Sequence, residues 1–172
     1  MFEDSNATIK DKDIKVLFEA TDIPDLSQCI SMERMFKLSR QVPQNINEWN
    51  VSNVKNMKEL FSSATFNHPL DKWNVSNVET MERMFSGVVS FNQPLNSWNV
   101  SHVKNMREMF SFNDSFNQPL DQWDVSNVED MEAMFKYNKV FNQPLNSWNV
   151  SHVKTMKEMF SFTDSFNHTN AP

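Results

Sequence analysis

Few side chains in this sequence are of a type that does chemistry by itself. The 172 residues include four histidines, one cysteine and a single glycine. His102 and His152 share one local context, Asn-Val-Ser-His-Val-Lys, at positions 50 apart. Two imidazoles could begin a metal site. If each context belongs to one coil of a stack, with strands about 4.8 Å apart, two coils hold the rings roughly 10 Å apart, too far for one ion. Solvated side chains beside a turn are the better reading. His68 and His168 stand where other copies carry Gln, and the sequence offers neither a partner. Cys29 falls on an apolar slot and reads as a small buried hydrophobe; a reactive thiol would want a neighbouring base or cation, and its surroundings supply none. Met57, Met81, Met106, Met131 and Met156 form a thioether row that could suggest copper, but no Cys or His accompanies it, and core filling is the simpler role.

Other chemistries are missing their parts. One glycine, Gly87, leaves no loop to cradle a phosphate. Asn-x-Ser/Thr occurs at Asn6, Asn50, Asn74, Asn99, Asn113, Asn149 and Asn167, mostly as a by-product of repetition. No Ser/His/Asp set or carboxylate pair stands outside the repeated frame. The expectation is a protein that is not an enzyme, with no cofactor and no metal.

The repetition itself organises the chain. Trp49, Trp73, Trp98, Trp123 and Trp148 are spaced 24, 25, 25 and 25 apart. Residues 91–118 and 141–168 differ at only four of 28 positions, namely 105, 107, 113 and 118 of the first copy. A fixed period of this size marks an array of stacked units. The first unit is degenerate, with Pro24 in the Trp position and Leu26, Cys29, Met32, Met35 and Phe36 in the apolar slots. One residue is missing between Phe61 and Phe66, which accounts for the shorter interval and requires a surface loop there.

One copy, Leu95 to Phe116, predicts the elements. Trp98 and Val100 alternate as a strand with one buried face requires. Val103, Met106, Met109 and Phe110 follow at the spacing of one helix face. Ser101 is placed to cap that helix, and Ser76-x-x-Glu79 and Ser126-x-x-Glu129 read as capping boxes. Asn117-Gln-Pro119 turns the chain toward the next strand. The fold class expected is α/β: a solenoid with one short parallel strand and one short helix per coil of about 25 residues. Residues 1–22 form a polar start with a helical cap over 13–22, and residues 23–172 form about six coils, the last truncated. A lone coil should not fold, because a helix of about 8 residues is marginal in isolation.

Charge adds register. Lys55, Glu79, Lys104, Glu129 and Lys154 alternate in sign from coil to coil, and so do Lys58, Glu82, Arg107, Glu132 and Lys157. Each exposed pair contributes about 0–1 kcal/mol, but a one-coil slip would leave the outermost partners unmatched. Asn67, Asn92, Asn117, Asn142 and Asn167 recur at the bend, where they are placed to pin backbone groups.

Net charge of −6 disfavours binding to a phosphate backbone, so nucleic acid is not an expected partner. No apolar run is long enough to span a membrane. The N-terminus shows no signal peptide, and one cysteine gives no disulfide framework. The expected location is therefore intracellular, or the cell surface if a leader has been removed.

The string Phe-Asn-Gln-Pro-Leu-x-x-Trp-Asn-Val-Ser-x-Val-x-x-Met-x-x-Met-Phe resembles the repeat of BspA-type leucine-rich-repeat surface proteins, the repeat domain of unknown function also found in mycoplasma surface lipoproteins. The resemblance covers roughly residues 24–168. It implies a leucine-rich-repeat-like solenoid and a role in adhesion or protein binding, and it carries over no catalytic residue.

The expected function is a non-catalytic protein-interaction or adhesion scaffold. Its candidate partner face is the solvent side of the strands: Glu48, Lys72, Ser97, Gln122 and Ser147 before each Trp, and Asn50, Asn74, Asn99, Asp124 and Asn149 after it. The alternative is a structural element that self-associates through the uncapped C-terminal coil, whose strand edge is ready to pair.

Overall fold

The computed structural model describes residues 22–167. The period governs it. Ser31, Asn56, Thr80, Asn105, Asp130 and Thr155 are joined in turn by five isolated parallel bridges, each one repeat further along.

Neither expected element forms. Among the described residues there is no α-helix and no continuous strand, and the one helical segment is a short 3-10 turn, Ile46–Glu48. The α/β solenoid with one strand and one helix per coil is overturned. The helical cap expected over 13–22 lies outside the described residues, apart from Asp22.

Backbone hydrogen bonding gives the reason. In segment 106–112, Met109 N–H donates to the Met106 carbonyl (3.1 Å) and Ser111 N–H to that of Glu108 (3.2 Å), closing successive turns. The alternate N–H groups of Met106, Glu108, Phe110 and Phe112 reach the carbonyls of Asp130, Glu132, Met134 and Lys136 in the next repeat, each at 2.9 Å. An α-helix spends its interior N–H groups on its own i−4 carbonyls and has none left for a neighbour. Glu108 and Phe112 both have φ of 53°. Positive φ at the third residue of the Met106–Met109 turn, and not at the second, is the mark of a type II turn. Such turns return i, i+3 and i+4 to one side, so Met106, Met109 and Phe110 are all buried. The helical spacing was real; the helix was not.

The expected caps are replaced by a different local bond. The Oδ1 of Asn74, Asn99 and Asp124 accepts the N–H of Ser76, Ser101 and Ser126, each at 3.1 Å. Glu79 and Glu129 send their N–H groups to the Lys55 and Lys104 carbonyls, both at 2.8 Å, instead of completing capping boxes. The stretch around Trp98 does alternate, with Trp98 and Val100 buried and Ser97 and Asn99 exposed. Yet Trp98 N–H closes a turn on the Leu95 carbonyl (3.0 Å) and Val103 N–H another on that of Val100 (2.9 Å). Too few backbone groups remain for a strand ladder.

The core is a set of ring stacks. Phe85, Phe110, Phe135 and Phe160 succeed one another at centroid separations of 5.5, 5.7 and 5.7 Å. Trp73–Trp98 and Trp123–Trp148 are parallel to within 5° at 6.4 Å. From Trp73 onward the indole N–H reaches back one repeat: Trp98 Nε1–H donates to the Leu70 carbonyl and Trp123 Nε1–H to that of Leu95, both at 2.9 Å, whereas Trp49 donates to Asn45 Oδ1 in its own repeat. The indole row therefore joins apolar contact to a directed bond, which fixes register. Met57, Met81, Met106 and Met131 are fully buried, whereas Met156 in the last repeat is 37% exposed.

The polar rows follow the same logic. The Asn67 Oδ1 accepts the Asn92 N–H (3.0 Å) and a Gln93 Nε2 hydrogen (3.1 Å), and Asn92 and Asn117 repeat the arrangement one repeat on. Opposite charges meet between repeats at Lys55–Glu79 (3.6 Å), Lys58–Glu82 (3.1 Å), Arg107–Glu132 (2.6 Å) and Lys154–Glu129 (2.5 Å).

Candidate interaction face

All ten residues proposed for the partner face are exposed, in two rows flanking the buried Trp row. Their side chains are not equally free. In the row after Trp, the oxygen of each side chain holds the backbone N–H two residues on, from Asn50–Ser52 (3.1 Å) to Asn149–Ser151 (3.2 Å). That row stabilises a turn before it meets any partner. Asp124 is the one carboxylate in it, and hydrogen bonds from the Ser126 side chain and backbone hold it below the usual carboxylate range.

The row before Trp is more varied. Glu48 and Lys72 pair across one repeat at 2.5 Å, and that hydrogen bond raises the lysine above its ordinary value. Gln122 Nε2 donates to Asp121 (2.9 Å), and Ser147 Oγ–H to the Asp121 carbonyl (2.8 Å). Bonds from Gln122 and Asn96 hold Asp121 below the usual carboxylate range. Asp121 was not among the candidates, yet it ties together two that were.

His102 and His152 line one shallow surface cleft of about 360 Å³ with Lys104, Asn127, Glu129 and Lys154. The cleft's carboxylate is engaged by Lys154, and His152 Nδ1 lies 2.8 Å from the Ser126 carbonyl oxygen. Among the described residues no three His, Cys, Asp or Glu side chains are grouped to hold a metal ion. Cys29 is fully buried; its Sγ–H donates to the Ser31 carbonyl (3.4 Å), and burial pushes the thiol's pKa up. That is the behaviour of a core side chain.

A third surface feature escaped the sequence reading. Phe112, Tyr137 and Phe162 stack at 4.7 and 4.5 Å on the outside of the array, and Lys136 Nζ lies 5.5 Å from the Tyr137 ring centroid. Phe112 and Phe162 are 50% and 62% exposed. The same position holds Leu38, Ser63 and Gly87 in earlier repeats, and that column of disagreement was the available signal.

No helix is long and apolar enough to cross a membrane among the described residues. No curated protein and no solved structure matches the chain. A family described as "Mycoplasma protein of unknown function, DUF285" matches residues 1–112 and 95–171. The two matches overlap in the middle of the array and together span almost all of it, as a repeated unit would. The chain belongs to that family of mycoplasma proteins of unknown function.

Proposed function

We propose that this chain is a non-catalytic scaffold for protein interaction or adhesion, working through the exposed rows beside the Trp positions. One observation carries the reading. Repeat positions that keep one large apolar residue type are spent on the core, whereas the row before Trp varies in charge and size while staying exposed. The resemblance to BspA-type surface repeats supports the same reading. Varied, exposed side chains on a rigid backbone are a common route to specific binding.

Affinity capture from the native host tests it. The native chain and a variant carrying Lys72→Glu, Gln122→Ala and Asp124→Ala are compared at equal folded concentration. A partner held by the native chain and lost by the variant is the expected result. Equal capture by both overturns the assignment of this face.

A further inference from the structure

His102 breaks the pattern of its column. Asn53, Asn77 and Asn127 stand at the same repeat position, and each Nδ2 donates to a Ser carbonyl of the preceding repeat: Ser27 (2.8 Å), Ser52 (2.7 Å) and Ser101 (2.8 Å). His152 Nδ1 keeps the contact, 2.8 Å from the Ser126 carbonyl oxygen. Among the described residues neither ring nitrogen of His102 has a hydrogen-bond partner, and the Ser76 carbonyl that would receive it accepts nothing.

Lys104, two residues on, is the matching exception among the charges. Glu79 turns to Lys55 of the preceding repeat (3.6 Å) and Glu129 to Lys154 of the following one (2.5 Å), so both carboxylates beside Lys104 are drawn away from it. Lys104 itself makes no ion pair among the described residues. A hydrogen bond from Lys154 is the main cause that holds Glu129 below the usual carboxylate range, and Lys104 acts on it more weakly. The backbone fixes the row, since Lys104 N–H donates to the Glu79 carbonyl (2.9 Å) and Glu129 N–H to that of Lys104 (2.8 Å). His102 and Lys104 are exposed and line both of two adjoining shallow hollows, of about 160 and 360 Å³. The hollows carry three lysines against two glutamates, on a chain whose net charge is −6.

Given the scaffold role, on which this rests, we propose that His102 and Lys104, apart from the rows beside Trp, seat one carboxylate of a partner protein, an aspartate or glutamate side chain. The ammonium gives a charge-assisted hydrogen bond, and an imidazole N–H gives a second. Only one cation is unspent. Glu79 and Glu129 stand one repeat away on either side, about 5 Å along the stack and inside the Debye length of roughly 8 Å. A nucleic acid or an acidic run crossing the repeats would set further anions against those two carboxylates. A single acidic side chain with uncharged neighbours places its one charge at Lys104 alone.

A nuclear magnetic resonance titration of the 172-residue chain at low salt tests this. The probes are an otherwise neutral pentapeptide with one central glutamate and its glutamine counterpart. The glutamate peptide is expected to shift the His102 ring and Lys104 signals saturably, and the glutamine peptide to leave them in place. Lys104→Gln should weaken binding by about tenfold. His102→Asn should weaken it several-fold while supplying the residue that its column uses to bond the preceding repeat, so that this variant keeps its fold. Glu129→Gln should strengthen it. The variant carrying Lys72→Glu, Gln122→Ala and Asp124→Ala should bind the peptide as the native chain does, so failure of the Trp rows and failure of this seat are read separately. Equal shifts from both peptides overturn the proposal, as does a glutamate response unchanged in both Lys104→Gln and His102→Asn. Tighter binding of a single-stranded oligonucleotide than of the glutamate peptide overturns the choice of occupant.

Discussion

Asn113 and Asn138 occupy one position in successive repeats, both are fully buried, and only one of them is satisfied. Asn138 Nδ2 donates to the Phe116 carbonyl (3.3 Å), while its Oδ1 accepts the Val140 (3.2 Å) and Phe141 (3.0 Å) N–H groups. Asn113 Oδ1 likewise holds the Ser115 (3.1 Å) and Phe116 (2.9 Å) N–H groups, but its Nδ2 has no partner. A buried donor left unmade costs about 1–3 kcal/mol.

Alanine at the two positions should therefore not cost the same. Asn138→Ala loses three bonds; Asn113→Ala loses two and removes the orphaned donor. The first is expected to be the more destabilising by about 1–2 kcal/mol, read from urea midpoints at matched slopes. Equal losses would mean that the Asn113 amide has found an acceptor.

Acid should loosen the array through its carboxylates. Arg83 grips Glu108 at two points, Nη2 to Oε1 at 2.7 Å and Nε to Oε2 at 2.9 Å, and this bond holds Glu108 below the ordinary glutamate value of 4.5. At Glu59 burial pushes upward, but hydrogen bonds from Lys37 and Arg34 outweigh it, and its pKa is also lowered. A depressed folded value means that stability is present above the unfolded value and is lost as pH falls below it toward the folded one. Melting temperature is expected to hold near neutrality and to fall below about pH 4.5. Glu108→Gln should be less stable at pH 7 and show a shallower acid decline, since Glu59, Glu129 and Glu158 remain lowered. A decline as steep as that of the native chain would remove Glu108 from the account.

Much of the array was legible because its core obeys spacing alone. The Trp, Phe and Met rows, the buried Cys29 and the alternation of charge all follow from period and residue type. The elements were not legible, for a physical reason visible at Met106, Met109 and Phe110. A helix and a run of overlapping turns that includes type II ones both return i, i+3 and i+4 to one side, so the apolar pattern cannot separate them. What separates them is where alternate N–H groups go and whether Glu108 has positive φ, and neither leaves a mark in side-chain type. Glycine would have marked it, and Gly87 (φ 72°) is the only one at such a position. At the candidate face the exposed rows were readable from alternation, but the commitment of Asn50 and its counterparts to their own turns was not. An Asn two residues before a Ser signals such a turn only once a helix is not assumed to start there.

The turn structure makes its sharpest prediction at residues that a helix would treat in the opposite way. Ala133 has φ of 54° and lies at the position of Glu108, inside the segment whose spacing suggests a helix. In a helix Ala→Gly costs about 1 kcal/mol, and the lost buried methyl adds about 0.8 kcal/mol. In the left-handed region a side chain costs roughly 1–2 kcal/mol that glycine does not, so the losses are offset and Ala133→Gly should leave stability nearly unchanged. Ser63 (φ 56°) is exposed and gives the cleaner sign, because Ser63→Gly removes the same strain and no packing. It should raise the melting temperature. Gly87→Ala should lower it, since an added Cβ would stand 2.9 Å from Ser63 Oγ as well as in a left-handed conformation. A loss of about 2 kcal/mol for Ala133→Gly, together with a fall in melting temperature for Ser63→Gly, would reinstate the helix.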